Sequence, residues 1–274
     1  MSKPVTNPFI TAYAMFTTLP SPDVGIVDRS RSARTILWLP WVGMILGALA
    51  GSAALLVLLL GGGRLLAAIA GLALLCLTTG FLHLDGLADT ADGLGSRKPA
   101  EQALEIMKRS DIGPMGVCAI VLVLALDVAA LHSPANTGIW AMPALLLTAP
   151  MVARMSVLIA TREGAETARP GGFGALFASV TKPATIAISL AAMLLAVGCV
   201  SGLVSGFSPY RIVHSTVAVL LSVGIGTLWQ RHLVVRFGGS TGDTFGSLIE
   251  ISQMCYLLAS ALGATLPSLT AAAS

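Results

Sequence analysis

Residues 63–95 read GRLLAAIAGLALLCLTTGFLHLDGLADTADGLG, a nearly uncharged run that ends in one histidine and three aspartates. Its first part, about 64–82, is long and apolar enough to cross the ~30 Å of hydrocarbon in a bilayer as a helix. Acidic side chains at the edge of a membrane are costly and usually serve a function. The stretch therefore predicts a membrane helix whose end carries a functional acidic cluster.

The rest of the chain has the same apolar character. Of its 274 residues, 55% are apolar and 11% are charged, against roughly 25% charged in an ordinary soluble domain. We expect an all-α, polytopic helical integral membrane protein with about seven transmembrane helices (six to eight), forming one catalytic domain over residues 1–274. The predicted spans are about 35–60, 64–82, 117–133, 139–160, 183–206, 212–230 and 247–267. Residues 8–20 are too few to cross and predict an interfacial or re-entrant segment.

The distribution of positive charge predicts the orientation. With the N-terminus inside, thirteen of the sixteen Lys and Arg residues fall in inner segments, and the outer turns hold only Arg64 and Arg211. Cytoplasmic loops accumulate such residues. The pattern predicts a multi-pass protein of the cytoplasmic (inner) membrane with a cytoplasmic N-terminus and three inner loops, at about 83–116, 161–182 and 231–246. No basic stripe with interleaved aromatic residues indicates a nucleic-acid partner.

Three aspartates of the first inner loop share one helical face. Asp85, Asp89 and Asp92 stand at i, i+4 and i+7 if residues 83–93 continue the second span as a helix. Three carboxylates there repel one another unless a cation lies among them, and oxygen ligands without cysteine favour Mg²⁺, with Mn²⁺ as the alternative. Mg²⁺ commonly completes its shell with substrate phosphates, so the cluster indicates chemistry on a diphosphate. A helix end carrying solvated acids is the alternative.

The third inner loop offers a further oxygen ligand. Asp243 follows Gly242 and Thr241, and a hydroxyl and a flexible backbone beside a carboxylate suit contact with a phosphate. A simple Asx-turn remains the alternative for Asp243. His83 could act as a general base or be a hydrogen-bonded structural histidine.

Several cations are candidates for holding phosphate oxygens. Lys108 and Arg109 could bind them, although Lys108 could equally form an i, i+3 surface pair with Glu105. Arg154 lies within the fourth span without an acid at helical spacing on its own helix, so it should face the bundle interior and an anionic partner, or snorkel to the surface. Arg162 and Arg169 belong to the second loop, where glycines follow Arg169.

These elements together resemble a known family. The stretch from His83 to Gly93 (HLDGLADTADG), followed by Gly113 and Gly116, closely resembles the signature of the adenosylcobinamide-GDP ribazoletransferase (cobalamin synthase) family. Residues 238–246 (GGSTGDTFG) with Glu250 are similar to its C-terminal motif. The resemblance covers nearly the whole chain.

The resemblance implies a reaction and roles for the candidate residues. The adenosylcobinamide phosphate of adenosylcobinamide-GDP would pass to α-ribazole or α-ribazole 5′-phosphate, with release of GMP, in the last stage of nucleotide-loop assembly. The catalytic residues would be His83, Asp85, Asp89 and Asp92. The metal ligands would be Asp85, Asp89, Asp92 and Asp243. The substrate-binding residues would be Lys108, Arg109, Arg154, Arg162, Arg169, Thr241 and Gly242.

Two other classes of function remain open at this point. One is a Mg²⁺-dependent membrane prenyltransferase or CDP-alcohol-type phosphotransferase, since Asp89-x-x-Asp92-Gly also resembles the acidic motif of the latter. The other is an ion-coupled transporter that uses Asp127 and the acidic cluster as coupling sites, although transporters place such acids near the midplane on broken helices. The partners expected are the small-molecule substrates and the lipid bilayer, and a homo-oligomer is left open.

Overall fold

The computed structural model of the protein describes residues 5–133 and 138–262. Helices dominate this part of the chain, and its only β-type pairs are the isolated bridges Arg162–Thr181 and Thr167–Ser240. The helices are α1 Pro8–Phe16, α2 Arg29–Thr35, α3 Leu39–Leu59, α4 Gly63–Thr78, α5 Leu82–Gly95, α6 Ala100–Ile106, α7 Pro114–His132, α8 Ala141–Ala160, α9 Gly172–Phe177, α10 Pro183–Ser205, α11 Pro209–Phe237 and α12 Gly242–Ala261. A 3₁₀ turn, Ile36–Trp38, joins α2 to α3. The predicted all-α membrane architecture is confirmed.

Five helical segments in the described residues are long and apolar enough to cross a membrane, and the pair α4–α5 would make a sixth. The five are Arg29–Leu59, α7, α8, α10 and α11. The seventh predicted span, 247–267, corresponds to α12, which is not among them, and residues 263–267 lie outside the described part of the chain. Polar side chains of α12, including Glu250 and Gln253, are buried among neighbouring helices, which explains its lower apolar character. The short N-terminal segment forms the nine-residue α1, too short to cross.

The acidic helix does not continue the second span. The chain breaks between α4 and α5 at Gly80 and Phe81, both with φ near +60°, and the two helices meet at 88°. The carbonyl groups at the end of α4 then need other donors, and Thr18 supplies them from its backbone N–H to Thr78 O at 2.9 Å and from its hydroxyl to Leu77 O at 3.0 Å. The break separates the apolar α4 from the acidic α5.

Glycines bring α3 and α8 into direct backbone contact. Gly43, Gly47 and Gly51 stand four residues apart on one face of α3. A Cβ added at Gly43 or Gly47 would lie 2.4 Å from a backbone oxygen of α8, and one at Gly51 would lie 2.7 Å from another. Small residues at this spacing let membrane helices approach closely and pack by van der Waals contact. This contact makes α8 the centre of the bundle, with fifteen of its twenty residues buried.

Hydroxyl and amide groups join α12 to α8 and α11. The Ser222 hydroxyl donates to Ser252 O at 2.6 Å, and the Ser252 hydroxyl donates to Ser156 Oγ at 2.9 Å. Trp229 Nε1 donates to Ser247 Oγ at 3.0 Å. Such interhelical hydrogen bonds satisfy polar groups that would otherwise lie in an apolar interior, and they fix the position of α12 beside α5.

Candidate functional site

The three aspartates of α5 lie on one helical face, as their spacing predicts. Asp85 is exposed, whereas Asp89 and Asp92 are half-buried. The negative charges of Asp85, Asp92 and Asp243 lie close enough to disfavour the ionised form of the Asp89 carboxyl group. Four carboxylates therefore gather at one end of the bundle, three from α5 and one from the start of α12.

Asp92 is anchored by the N-terminus of α7. Its Oδ2 accepts a hydrogen bond from Gly113 N at 2.7 Å, and its Oδ1 accepts one from Gly116 N at 2.9 Å. A Cβ at Gly113 would lie 2.4 Å from Asp92 Oδ1, and one at Gly116 would lie 2.6 Å from Oδ2. A side chain at either position would therefore displace the Asp92 carboxylate from its two backbone donors, and the positive end of the α7 dipole supports the negative charge of Asp92. Each oxygen keeps a second lone pair.

Asp243 reaches the cluster because α5 and α12 meet at glycines. A Cβ on Gly86 would lie 2.7 Å from Asp243 O and 3.1 Å from Gly246 Cα. Burial, followed by a smaller effect of the Asp85 charge, raises the pKa of Asp243, while Arg169 and a hydrogen bond from the Thr241 hydroxyl oppose that rise. The Thr241 hydroxyl also accepts from Thr244 N at 3.2 Å, within a capping box that starts α12.

Arg169, in the second inner loop, lies near the same carboxylates. Its guanidinium donates to Leu104 O of α6, and its positive charge acts favourably on both Asp89 and Asp243. The second and third loops are held together at Ser240, whose carbonyl accepts from Ala168 N at 3.1 Å and from the Thr167 hydroxyl at 3.2 Å. Gly242 packs against Phe173 of α9. The three loops predicted to be functional thus converge at one end of the bundle.

An open cleft of about 260 Å³ lies beside the carboxylates. Asp89 and Asp92 form one wall of it, and Arg109, Asp111 and Pro114 contribute to the others. A concave surface that combines carboxylates with an arginine suits a phosphate-bearing ligand bound together with a cation.

Two other cationic side chains that were predicted to bind substrate, Lys108 and Arg162, contact other groups in the structure. Lys108 forms the i, i+3 ion pair with Glu105, with Nζ 2.6 Å from Oε1, at the surface, which is the alternative the sequence left open. Arg162 is exposed, and its guanidinium lies 3.4 Å from Ile159 O of its own helix end. Neither contact brings the cation to the cluster, so a role in substrate binding would need these side chains to reorient.

His83 and Arg154 lie in a separate buried polar group. Both line a very small cavity between α5, α8 and α12 together with Glu250 and Gln253. Arg154 is 1% exposed and donates to Pro150 O at 3.0 Å, while its Nε and Nη2, like His83 Nε2, have no hydrogen-bond partner among the described residues. Glu250 is the acid whose charge acts on Arg154, although the two side chains do not form a direct ion pair. Arg154 therefore faces the bundle interior and does not snorkel.

The same buried group extends to Asp127. Gln253 Nε2 donates to Asp127 Oδ2 at 3.1 Å, and Asp127 is fully buried on α7. The sequence singled out Asp127, Arg154 and Glu250 separately, but their grouping with His83 depends on how four helices pack. His83 points into this group, away from the cleft that Asp89 lines.

The carboxylate oxygens at this site are ligands of the type that a hard divalent cation prefers. In residues 5–133 and 138–262, no three His, Cys, Asp or Glu side chains are arranged to enclose a metal ion by themselves. Mg²⁺ does not need such an enclosure, because it usually binds through one or two carboxylates and takes its other ligands from water and substrate phosphates. Asp89 has Asp85 and Asp243 near it, and its carboxylate accepts no backbone hydrogen bond from the described residues, so it has the chemistry for that task.

Comparison with known proteins identifies relatives over almost the whole chain. Residues 8–261 match the family model described as cobalamin-5-phosphate synthase. The chain is 37% identical over 268 residues to an adenosylcobinamide-GDP ribazoletransferase of Frankia casuarinae, covering 94% of this chain and 95% of that relative. A protein of the same description from Pseudomonas entomophila is 37% identical, covering 93% and 98%, and one from Klebsiella pneumoniae is 34% identical, covering 92% and 98%. No solved structure matches the chain significantly. The acidic helix is anchored by Gly113 and Gly116, and the relatives match almost the whole chain. This chain belongs to the cobalamin-5-phosphate synthase family.

Proposed function

We propose that this protein transfers the adenosylcobinamide phosphate of adenosylcobinamide-GDP to α-ribazole or α-ribazole 5′-phosphate, and releases GMP. The products are adenosylcobalamin or its 5′-phosphate. The convergence of Asp85, Asp89, Asp92 and Asp243 with Arg169 beside an open cleft carries this proposal, because a diphosphate linkage needs both a cation and positive side chains around it. The names of the relatives supply the substrates.

The bond changes follow from the two substrates. A ribose hydroxyl of the acceptor attacks the phosphorus on the cobinamide side, the P–O bond to the GMP phosphate breaks, and GMP leaves with the bonding electron pair. The 5′ oxygen is already esterified in α-ribazole 5′-phosphate, so a hydroxyl that serves for both acceptors is a different one. The proton of that hydroxyl must pass to a base in the cleft.

The residues of the cleft suit distinct tasks. Asp89 is the carboxylate best placed to accept the proton or to hold the cation, since it lines the cleft and no backbone N–H of the described residues donates to it. Asp92 holds α5 to α7 through its two backbone contacts, and Asp243 adds an oxygen from the third loop. Arg169 and Arg109 would hold phosphate oxygens by charge-assisted hydrogen bonds.

Mg²⁺, with Mn²⁺ as the alternative, is part of the proposal. Asp85, Asp89 and Asp243 would hold it, with Asp92 as a further oxygen donor. When bound, such an ion neutralises charge on the diphosphate and on the departing GMP. Without a cation the four carboxylates would repel an anionic substrate, so the electrostatics of the cluster support its presence.

The site is proposed to face the cytoplasm from the inner membrane. The positive charge of the loops around it supports this orientation, because thirteen of the sixteen Lys and Arg residues lie on that side of the predicted topology. Labelling of single cysteines placed at Lys98 and Gly62 in intact spheroplasts should modify only the Gly62 position. Labelling of the Lys98 position alone would reverse the orientation.

The test of the reaction is an assay of purified protein. Protein in detergent or nanodiscs is given adenosylcobinamide-GDP and α-ribazole, and GMP and adenosylcobalamin are measured with Mg²⁺ and with chelator. We expect Asp89→Asn to reduce turnover by at least about 10³-fold, as loss of a group acting on a metal-bound diphosphate would. Glu101→Gln is the matched control, since it removes an exposed carboxylate at the same end of the bundle.

Two results would contradict the proposal. One is equal GMP release by folded Asp89→Asn and wild-type protein. The other is turnover of CDP-activated or prenyl diphosphate substrates with none of adenosylcobinamide-GDP, which would favour the rival phosphotransferase classes.

A further inference from the structure

A second polar cavity lies at the end of the bundle opposite the carboxylates. It has a volume of about 160 Å³ and is lined by the start of α8, the end of α10, the start of α11 and the end of α12. The twenty residues of α8, roughly 30 Å of helix, separate this end from the loops of the proposed active site. The cavity is therefore independent of the site described above.

The walls of this cavity combine a cation with several polar groups. Arg211 and His214 line it from α11, and the hydroxyls of Thr148 and Tyr256, 2.9 Å apart, line it from α8 and α12. Ser205 contributes a buried hydroxyl oxygen that has no hydrogen-bond partner among the described residues. An unsatisfied buried hydroxyl beside a cation indicates a missing polar partner.

No acidic side chain among the described residues forms an ion pair with Arg211. The only ion pair in the described residues is Lys108–Glu105, at the opposite end. All thirteen acids of the sequence lie within the described residues, and none falls in the described stretches around this end, which are residues 60–64, 138–141, 205–215 and 257–262. A partly buried arginine without an acid favours an external anionic partner, because an unpaired charge near apolar surroundings is costly.

An apolar groove adjoins the polar cavity and faces outward. It measures about 320 Å³ and lies between α3, α8 and α10, and it shares Ala144, Val200 and Val204 with the cavity. Trp140 and Leu203, at its edges, are 58% and 71% exposed. Tryptophan is typical of the membrane–water interface, which favours a position of this groove where acyl chains meet the headgroup region.

We propose that this composite site binds one anionic phospholipid. Its phosphate would lie against Arg211 and Ser205 in the polar cavity, and an acyl chain would occupy the adjoining groove past Val204. A free phosphate would use only the cavity, and a neutral apolar molecule would use only the groove. A lipid with a net negative charge is the ligand class that complements both parts and the missing counter-charge.

The proposal is tested by lipid binding to delipidated, detergent-purified full-length protein. Native mass spectrometry measures adducts of phosphatidylglycerol and of phosphatidylcholine with the same acyl chains, and thermal unfolding measures the stabilisation that each confers. We expect one phosphatidylglycerol to bind the wild type about tenfold more tightly than phosphatidylcholine, the scale of one charge-assisted contact. Inorganic phosphate at millimolar concentration should neither displace it nor stabilise the protein equally.

Four variants distinguish binding at this site from nonspecific attraction by surface charge. Arg211→Gln should lose the tenfold preference, and Arg211→Lys should keep most of it. Arg64→Gln is the matched control, because Arg64 is the other outer cation and its guanidinium lies against Leu131 O, outside the cavity. Val204→Trp should weaken both lipids by narrowing the junction while the charge stays.

The possible results support or overturn the proposal. Equal loss of phosphatidylglycerol in Arg211→Gln and Arg64→Gln would overturn it in favour of nonspecific attraction. Displacement by inorganic phosphate would overturn the lipid assignment. Failure of Val204→Trp to change binding would overturn the role of the groove. GMP release does not enter these measurements, so failure here leaves the proposed reaction untouched.

Discussion

A methyl group added at Gly86 tests whether the contact between α5 and α12 sets the geometry of the proposed active site. In Gly86→Ala the new Cβ would lie 2.7 Å from Asp243 O and 3.1 Å from the Cα atoms of Asp243 and Gly246. Ordinary contacts begin near 3.4 Å. All three neighbours are backbone atoms, so no side-chain rotation relieves the overlap.

The magnitude follows from that overlap. The two helices must separate by about 0.7 Å at this point to restore ordinary contact, and overpacking of this kind costs about 1–3 kcal/mol. The same displacement moves Asp243 away from Asp89. Because a misplacement of about 1 Å can reduce an enzymatic rate by about 10²-fold, we expect kcat for GMP release to fall by about 10- to 100-fold.

The assay pairs turnover with thermal unfolding in detergent. Gly224→Ala is the control, since its added Cβ on α11 meets nothing within 4 Å, and it should keep wild-type kcat with an unchanged or raised Tm. Wild-type kcat and Tm in Gly86→Ala would refute the argument that this contact positions Asp243. A lowered Tm with unchanged kcat would refute the catalytic part alone.

Three further predictions follow from the packing and the charges. Gly47→Val should lower the free energy of unfolding by at least about 1–3 kcal/mol, because its Cβ would lie 2.4 Å from Leu147 O; a Tm equal to that of wild type would show that α3 and α8 can separate freely. Arg154→Ala should cost about 2–5 kcal/mol, because truncation of this buried side chain leaves a cavity and removes the positive charge that acts on Glu250. The double variant with Glu250→Gln should cost less than the two single variants added together, whereas strict additivity would mean that the two groups do not interact. The raised pKa of Asp243 means that the folded, metal-free protein binds this proton more tightly than the unfolded chain, whose value is near 3.8. The contribution of Asp243 to stability is therefore present at low pH and lost as pH rises from about 4 through the folded pKa. Mg²⁺ should offset that loss in wild type and do so less in Asp243→Asn, and an equal effect of Mg²⁺ on both proteins would argue against Asp243 as a ligand.

The sequence alone determined the class of fold and the position of the acidic helix. The helical membrane architecture follows from composition, because only helices and closed β-barrels satisfy the backbone in lipid, and unbroken apolar runs of about 20 residues are typical of the helices. The spacing of Asp85, Asp89 and Asp92 placed them on one face once they were helical. The glycine pairs were visible as well, although the sequence did not show that Gly113 and Gly116 serve the carboxylate of Asp92.

The tertiary structure decided which of the candidate residues meet. His83 stands two residues from Asp85 in the sequence, yet it faces Arg154 and Glu250, because successive helical positions point about 100° apart and α12 packs against only one face of α5. The break at Gly80 and Phe81 was hidden for a similar reason: Phe81 has no intrinsic need for a left-handed backbone, and the contacts of Thr18 with the end of α4 are made from about sixty residues away. The convergence of Asp243 and Arg169 on Asp89 depends on helices and loops distant in the chain. Local patterns fix which way a side chain points along its own helix, whereas its neighbours across the bundle are set by long-range packing that no local pattern specifies.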